Sequence, residues 1–564
     1  MPRHGGIFAA AMAPPRLVGG LLRNVRRVAE TRAGVMIIRP MMERDFGLDR
    51  LATLPPDARC AADIEPRPLQ AAPPRTWTEG ALGPPSVHGH RRTTAQLAAA
   101  FRDADATPTD VFARLAKHIG AEDWGDALHS PFVALDLERA RRDASASTDR
   151  HRAGKALGAL DGVPVPIKDQ HHLVGHPTRG GTAYLTSNAD TDARMVQDLR
   201  AAGALVYAKT HTTEWGMTPT GQSPHFAMPR NAYHSDHCAG GSSTGAAIAS
   251  ALGLCTVASG SDGGGSIRIP SSLNGVFGIK PTFIRISRTG DIYGGTVGVT
   301  GPLGQSTLDL VAFLEATAVH IDPLDPRTTY ANDHTTVAAT WRRALGRGVT
   351  GCRIGVPRAM WEGADPAIVS ACDEALRALE RDGAIVRDVE IPYVEHAMAV
   401  GVMSIAPEAA GELGDDCERF LDKMSDDLRV SLAVLRSLKA VEVYAAQKTR
   451  SRLRRLVREA FTSIDLLALP STAVLAPSYP RTEQRVAVSD VAAVVGLTRT
   501  NFLGNITGLP AGSVPVGRSN ELPIGLQLIG DAWDEASVLA AMAHVERIGL
   551  ADQPKPRGYF DLLG

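Results

Sequence analysis

The chain has 564 residues, of which 44% are hydrophobic, 21% charged and 5% aromatic, enough apolar material for a large core. Its 60 Lys+Arg and 61 Asp+Glu give a net charge of -1, which argues against nucleic-acid binding through a bulk basic excess. No uninterrupted apolar run reaches the roughly 18 residues of a membrane-spanning helix, so no integral membrane association is expected. The six cysteines (Cys60, Cys238, Cys255, Cys352, Cys372, Cys417) are scattered without CxxC spacing. They suit free thiols in a reducing, cytoplasmic compartment better than a disulfide framework or a zinc knuckle.

Residues 1–90 differ from the rest. The start, MPRHGGIFAAAMAPP, superficially resembles a signal peptide, but its apolar stretch is short and runs at once into Pro14-Pro15. Residues 16–32 read as one basic amphipathic helix with Leu17, Leu21, Val25 and Val28 on one side. Such a helix suits a membrane surface, or packing on the protein's own body or a partner subunit. Residues 55–86 are proline-rich and read as an extended connector.

From about residue 91 the pattern becomes regular. Residues 94–118 carry two short helices broken near Pro108. Residues 131–148 read as one helix with Val133, Leu137 and Ala140 inward. A strand (Val163–Ile167), a helix (Ala193–Ala202) stopped by Gly203, and a second strand (Ala204–Ala208) follow. Residues 366–389 repeat the theme: a helix burying Val369, Cys372, Ala375, Leu376 and Leu379, then Gly383, then a strand. Near the end, strand Ile524–Leu528 precedes a helix from Asp534 to Arg547, with Val538, Leu539, Met542 and Val545 inward. This alternation predicts an α/β fold, a single large domain over 91–564 behind an N-terminal extension over 1–90.

The chemistry concentrates in 239–281, where two glycine-serine clusters flank a small-residue helix and a short strand. Clustered glycines imply backbone geometry closed to other residues. Gly263-Gly264-Gly265-Ser266 would aim consecutive N–H groups at one point, a nest for a phosphate or for the oxyanion of acyl transfer. Ser266 stands at its end, where a nucleophile belongs, but a serine needs a base. No G-x-S-x-G elbow occurs, and none of the 17 histidines falls in a triad context. The other candidate is Lys168, which closes the apolar segment Val163 to Ile167; a buried lysine loses basicity and in its neutral form accepts a proton.

These residues resemble the amidase signature family, whose central pattern is approximately GGSSGG followed by GTDxGGSIRxPxxxxGxxGxKPT. The chain reads Gly240-Gly241-Ser242-Ser243-Thr244-Gly245, then Gly260-Ser261-Asp262-Gly263-Gly264-Gly265-Ser266-Ile267-Arg268-Ile269-Pro270, then Lys280-Pro281-Thr282. Asp161-Gly162-Val163-Pro164 through Lys168-Asp169, Lys209-Thr210 with Glu214, Gly301-Pro302-Leu303, and Gly508-Leu509-Pro510 through Leu528 extend the likeness over about 93–550. The resemblance implies a mixed central sheet flanked by helices, and an amide hydrolase with a Ser–cis-Ser–Lys triad. In that reading Ser266 is the nucleophile, Ser242 the bridging serine after a cis peptide bond, and Lys168 the base. The N–H groups of Gly263, Gly264, Gly265 and Ser266 form the oxyanion hole. Ser243, Asp262 and Arg268 fix the loops, with Asp262 paired to Arg268. The substrate is a small-molecule carboxylic amide, with esters and carbamates open to the same attack. No cofactor or metal is required, and homodimerisation is a habit of the family. The alternative is the glutaminase subunit of a tRNA-dependent amidotransferase, which shares the core. Thr244 replaces the usual glycine, Ser261 the usual threonine, Ile284 a common glycine and His211 a common asparagine.

Competing readings are weaker. Gly260–Gly265 lacks the G-x-G-x-x-G spacing, and the Walker-like run at 203–210 has alanine for its second glycine and a strand where a loop is needed. His171, His172 and His176, and His234 and His237 beside Cys238, form tempting metal clusters, but no H-E-x-x-H or carboxylate pattern joins them. The basic residues of 447–458 are expected on a solvated helix face.

Overall fold

The computed structural model describes residues 16–54, 67–68, 89–121, 130–292, 294–331, 333–479 and 485–564. The signal-like start, Cys60 and, apart from 67–68, the proline-rich connector lie outside these residues. Among the described residues thirteen strands form. In chain order they are β1 (Leu17–Val18), β2 (Phe132–Leu135), β3 (Pro164–Lys168), β4 (Leu205–Thr210), β5 (Val257–Asp262), β6 (Phe277–Lys280) and β7 (Val299–Gly304). They continue with β8 (Arg353–Val356), β9 (Ile385–Asp388), β10 (Leu466–Pro470), β11 (Val488–Ser489), β12 (Ala511–Ser519) and β13 (Leu522–Gly530).

Eight strands make one mixed sheet in the order β5-β7-β6-β12-β13-β10-β8-β9, parallel only at β10–β8 and β8–β9. β12 and β13 form its central hairpin. The two residues between them, Asn520 and Glu521, both have positive φ (48° and 66°), as the right-handed twist of a tight hairpin demands. β13 is buried along its whole length, because helices cover both faces of the sheet. A three-stranded sheet, β2-β4-β3, lies against β5, where the Lys168 backbone N–H donates to Ser259 Oγ at 2.8 Å. That contact brings the end of β3 to the end of β5, and the site is built there.

The helix expected over 131–148 is corrected. Phe132–Leu135 is β2, antiparallel to β4, and the helix runs from Leu137 to Arg152. The apolar run Phe132-Val133-Ala134-Leu135 fits either period when read locally; pairing with β4 decides it. The basic helix over 16–32 is also shorter than expected. Leu17 and Val18 pair with β11, Gly19 enters the helix with φ 54°, and the helix ends at Ala29. Thr31 Oγ1 then accepts from Gly34 N–H at 2.9 Å and caps a second helix, Arg32–Asp45. Leu22 and Ala29 are the buried face, packed with Val430 of helix Asp426–Leu435. Arg26 reaches Asp426 at 3.1 Å and Arg429 reaches Glu30 at 2.5 Å, which selects a face that leaves Leu21 and Val28 exposed. The solvated face expected over 447–458 is interrupted as well: Arg450 of helix Ala440–Phe461 is fully buried and donates to Ile506 O and Thr296 O. Among the described residues no helix is long and apolar enough to cross a membrane.

Candidate active site

Lys168 ends β3, Ser242 precedes helix Thr244–Ala251, and Ser266 lies between β5 and helix Arg268–Leu273. The small-residue helix Thr244–Ala251 is buried throughout. Its fit is tight: a Cβ on Gly245 would sit 2.2 Å from Pro131 O. This close packing draws Ser242 to the sheet.

Lys168 Nζ lies 2.8 Å from Ser242 Oγ and 2.8 Å from Ser261 Oγ, with Ser261 O at 3.4 Å. Lys168 is fully buried. Burial pushes its pKa down to about 7, against the opposing pull of the Asp262 and Asp291 carboxylates. A large share of this amine is therefore unprotonated at neutral pH. The Gly241–Ser242 peptide bond is cis. Thr244, the departure beside it, donates its hydroxyl to Gly240 O at 2.8 Å and ties down the loop. Ser243 N–H donates to Ser266 O at 3.1 Å, and Ser243 Oγ to Ser261 O at 3.3 Å, so both serine loops are joined through Ser243.

Asp262 and Arg268 form a two-pronged pair, Nη2–Oδ1 at 2.8 Å and Nε–Oδ2 at 3.0 Å, with neither side chain exposed. Burial alone would raise the Asp262 pKa. The Arg268 charge and hydrogen bonds from Arg268 and Asn505 outweigh it and hold the carboxyl far below its usual range. Arg268→Met leaves a buried carboxylate without its counter-charge, and the expected loss is roughly 3–5 kcal/mol of stability. Urea unfolding measures it; a midpoint equal to wild type would contradict the assignment.

One sequence expectation needs correction here. The Gly265 N–H donates to Asp262 Oδ1 at 2.7 Å and is not offered to a substrate oxygen. Gly265 has φ 116°, which turns its amide back under the loop. The N–H groups of Gly263, Gly264 and Ser266 take no acceptor among the described residues. A Cβ on Gly264 would lie 2.7 Å from the Phe502 ring, so only glycine lets that backbone face the cavity. Ile284 holds φ 67°, which accounts for glycine being common at that position.

Two cavities meet at Ser266. One, of about 600 Å³, is walled by apolar side chains such as Ile405, Leu428, Val434, Leu435, Met41 and Phe502. The other, of about 50 Å³, is polar and lined by Ser242, Ser261, Arg288, Asp291 and Glu408. The residues that sequence reasoning missed are Asn505, Gln527 and Gln170. Asn505 and Gln527 both accept from Arg268, and Gln170 accepts from Ser261 Oγ. Their partners lie on other segments, so only pattern likeness around Leu526-Gln527-Leu528 pointed toward any of them. The histidines are otherwise engaged: His171 with Asp291 and His172 with Thr178 Oγ1, while the His234 and His237 rings pack edge to face. Among the described residues no three His, Cys, Asp or Glu side chains group to hold a metal ion.

The fold and this constellation define an amide hydrolase. The family model Amidase matches residues 125–539, and the chain belongs to the amidase signature family. A fatty acid amide hydrolase from Medicago truncatula is 35% identical over 481 residues, covering 82% of this chain and 77% of its own. The amidase-like component of a glutamyl-tRNA(Gln) amidotransferase from Halorhodospira halophila is 32% identical over 498 residues, covering 83% of this chain and 100% of its own. Among solved structures, the native peptide amidase from Stenotrophomonas maltophilia matches with a TM-score of 0.69 at 25% identity, over 83% of this chain and 99% of that one.

Proposed function

We propose that this hydrolase cleaves long-chain acyl amides through an acyl-enzyme on Ser266, with Ser242 and Lys168 as the proton relay. The observation that carries the chemistry is the 2.8 Å approach of the buried Lys168 Nζ to Ser242 Oγ. Neutral Lys168 takes the Ser242 proton while Ser242 takes that of Ser266, whose Oγ bonds to the substrate carbonyl carbon. The oxyanion accepts from the free N–H groups of the Gly263–Ser266 turn, with Gly264 and Ser266 best placed. Collapse breaks the C–N bond, and Ser242 returns a proton to the departing amine as Lys168 reprotonates Ser242. Water then attacks the ester by the same relay and releases the acid. No step calls for a cofactor.

The substrate assignment rests on the apolar cavity of about 600 Å³ opening on Ser266 and is supported by likeness to a fatty acid amide hydrolase. An acyl chain fills the apolar side, and a small polar amine departs through the chamber of about 50 Å³. Glutamine would set a charged head against the apolar walls, so the glutaminase reading is disfavoured. Five buried thiols, at Cys238, Cys255, Cys352, Cys372 and Cys417, fit a cytoplasmic setting.

A series of linear acyl p-nitroanilides tests the substrate class. Each buried methylene contributes about 0.8 kcal/mol, roughly fourfold, if its transfer energy is realised in the transition state. kcat/KM is expected to climb by roughly two orders of magnitude or more from acetyl to decanoyl, with glutamine not turned over. A flat series, or preference for acetyl, contradicts the assignment.

A further inference from the structure

Gln170 stands two residues beyond Lys168, where the chain turns back so that its N–H donates to Lys168 O at 2.8 Å. It is buried, and its Oε1 accepts the hydroxyl proton of Ser261. Ser261 in turn is the second neighbour of the lysine, with its Oγ at 2.8 Å and its carbonyl O at 3.4 Å from Nζ.

A neutral lysine amine has two N–H donors and one lone pair. To act as a base on Ser242 it must keep the lone pair toward Ser242 Oγ and send both hydrogens elsewhere. Ser261 O accepts only. Ser261 Oγ carries one hydrogen, which it can give either to Gln170 or to the lysine lone pair. Given to the lysine, that hydrogen occupies the lone pair, and the amine then meets Ser242 as a donor, which is useless for proton abstraction. Given to Gln170, it leaves Ser261 Oγ as an acceptor for Lys168, and both N–H groups are used on Ser261.

We infer that Gln170 is a positioning residue for the reaction: by taking the Ser261 proton it turns the Lys168 lone pair toward Ser242. The inference rests on the reading of Lys168 as the base acting through Ser242. It makes the Ser261 hydroxyl harmless while Gln170 is present and inhibitory when Gln170 cannot accept.

The test uses the full chain and decanoyl p-nitroanilide as the probe. Gln170→Leu is expected to lower kcat about tenfold with KM within about twofold, as for a weakened general base. The acid limb of its pH profile should move to lower pH, because a hydroxyl donating to the amine stabilises the unprotonated form. Adding Ser261→Ala removes the competing hydrogen, so the double variant should be more active than Gln170→Leu alone, a sign that independent structural damage does not produce. Gln170→Glu keeps an acceptor and should retain kcat on the alkaline plateau within about threefold. Additive losses in the double variant, or an unmoved kcat and acid limb in Gln170→Leu, overturn the inference. Should Gln170→Leu fail to fold, a Gln170→Glu plateau reduced by about tenfold or more would overturn it instead. Fluorophosphonate labelling of wild type is the control: absence of adduct on Ser266 refutes the catalytic reading itself, whereas labelled Ser266 with additive losses refutes only the role of Gln170.

Discussion

Ser266→Ala is expected to abolish fluorophosphonate labelling and to lower kcat for decanoyl p-nitroanilide by about 10⁴-fold or more, the scale seen when a serine hydrolase loses its nucleophile. The reason is geometric. Ser266 is the residue common to the apolar and polar cavities, at the foot of a turn whose amides of Gly263, Gly264 and Ser266 take no protein acceptor among the described residues. Without its hydroxyl the remaining donors can polarise a carbonyl but cannot form the covalent intermediate. Stability should hardly change, since no side-chain hydrogen bond of Ser266 contributes to the packing of the loops; these are fixed by Asp262, Arg268 and Asn505. A Ser266→Ala variant retaining about a tenth of wild-type activity would move the nucleophile elsewhere.

Lys168→Ala carries the second largest effect, and it should depend on the leaving group. Amide cleavage needs a proton taken from the nucleophile and one delivered to the amine, and the expected loss is on the order of 10³–10⁴-fold. A p-nitrophenyl ester releases a stable phenolate and needs no such delivery, so its loss should be about tenfold or more smaller. The pH dependence has a fixed sign. The lysine works as the neutral amine, so kcat/KM rises with pH through an ionisation near 7, the value to which burial brings Lys168, and falls on the acid side as the amine protonates. Equal losses on amide and ester would remove the lysine from amine protonation.

Much of this was legible in the residues between Ala239 and Pro281. Glycine and serine clusters there mark backbone that must approach a ligand, and the structure brings Lys168, Ser242 and the Gly263–Ser266 turn together. The Gly265 amide was misassigned because a run of consecutive glycines does not reveal which N–H a single positive φ turns away. Phe132–Leu135 was misread because four apolar residues carry no decisive period until β4 lies beside them. Gln170, Asn505 and Gln527 escaped because their meaning lies in partners on other segments: Ser261 for the first and Arg268 for the others. The acyl cavity was equally hidden. Its walls come from Met41, Ile405, Leu428, Val434 and Phe502, residues of helices far apart in the chain, each of which reads alone as ordinary core.

The central claim is that an uncharged Lys168 activates Ser266 through Ser242. The rate of fluorophosphonate labelling against pH, with the adduct located by peptide mass spectrometry, tests it most directly. The account predicts a single adduct on Ser266, a rate that rises through one ionisation near pH 7, and loss of that ionisation in Lys168→Ala. An adduct on another residue, or a pH profile that Lys168→Ala leaves in place, would contradict it.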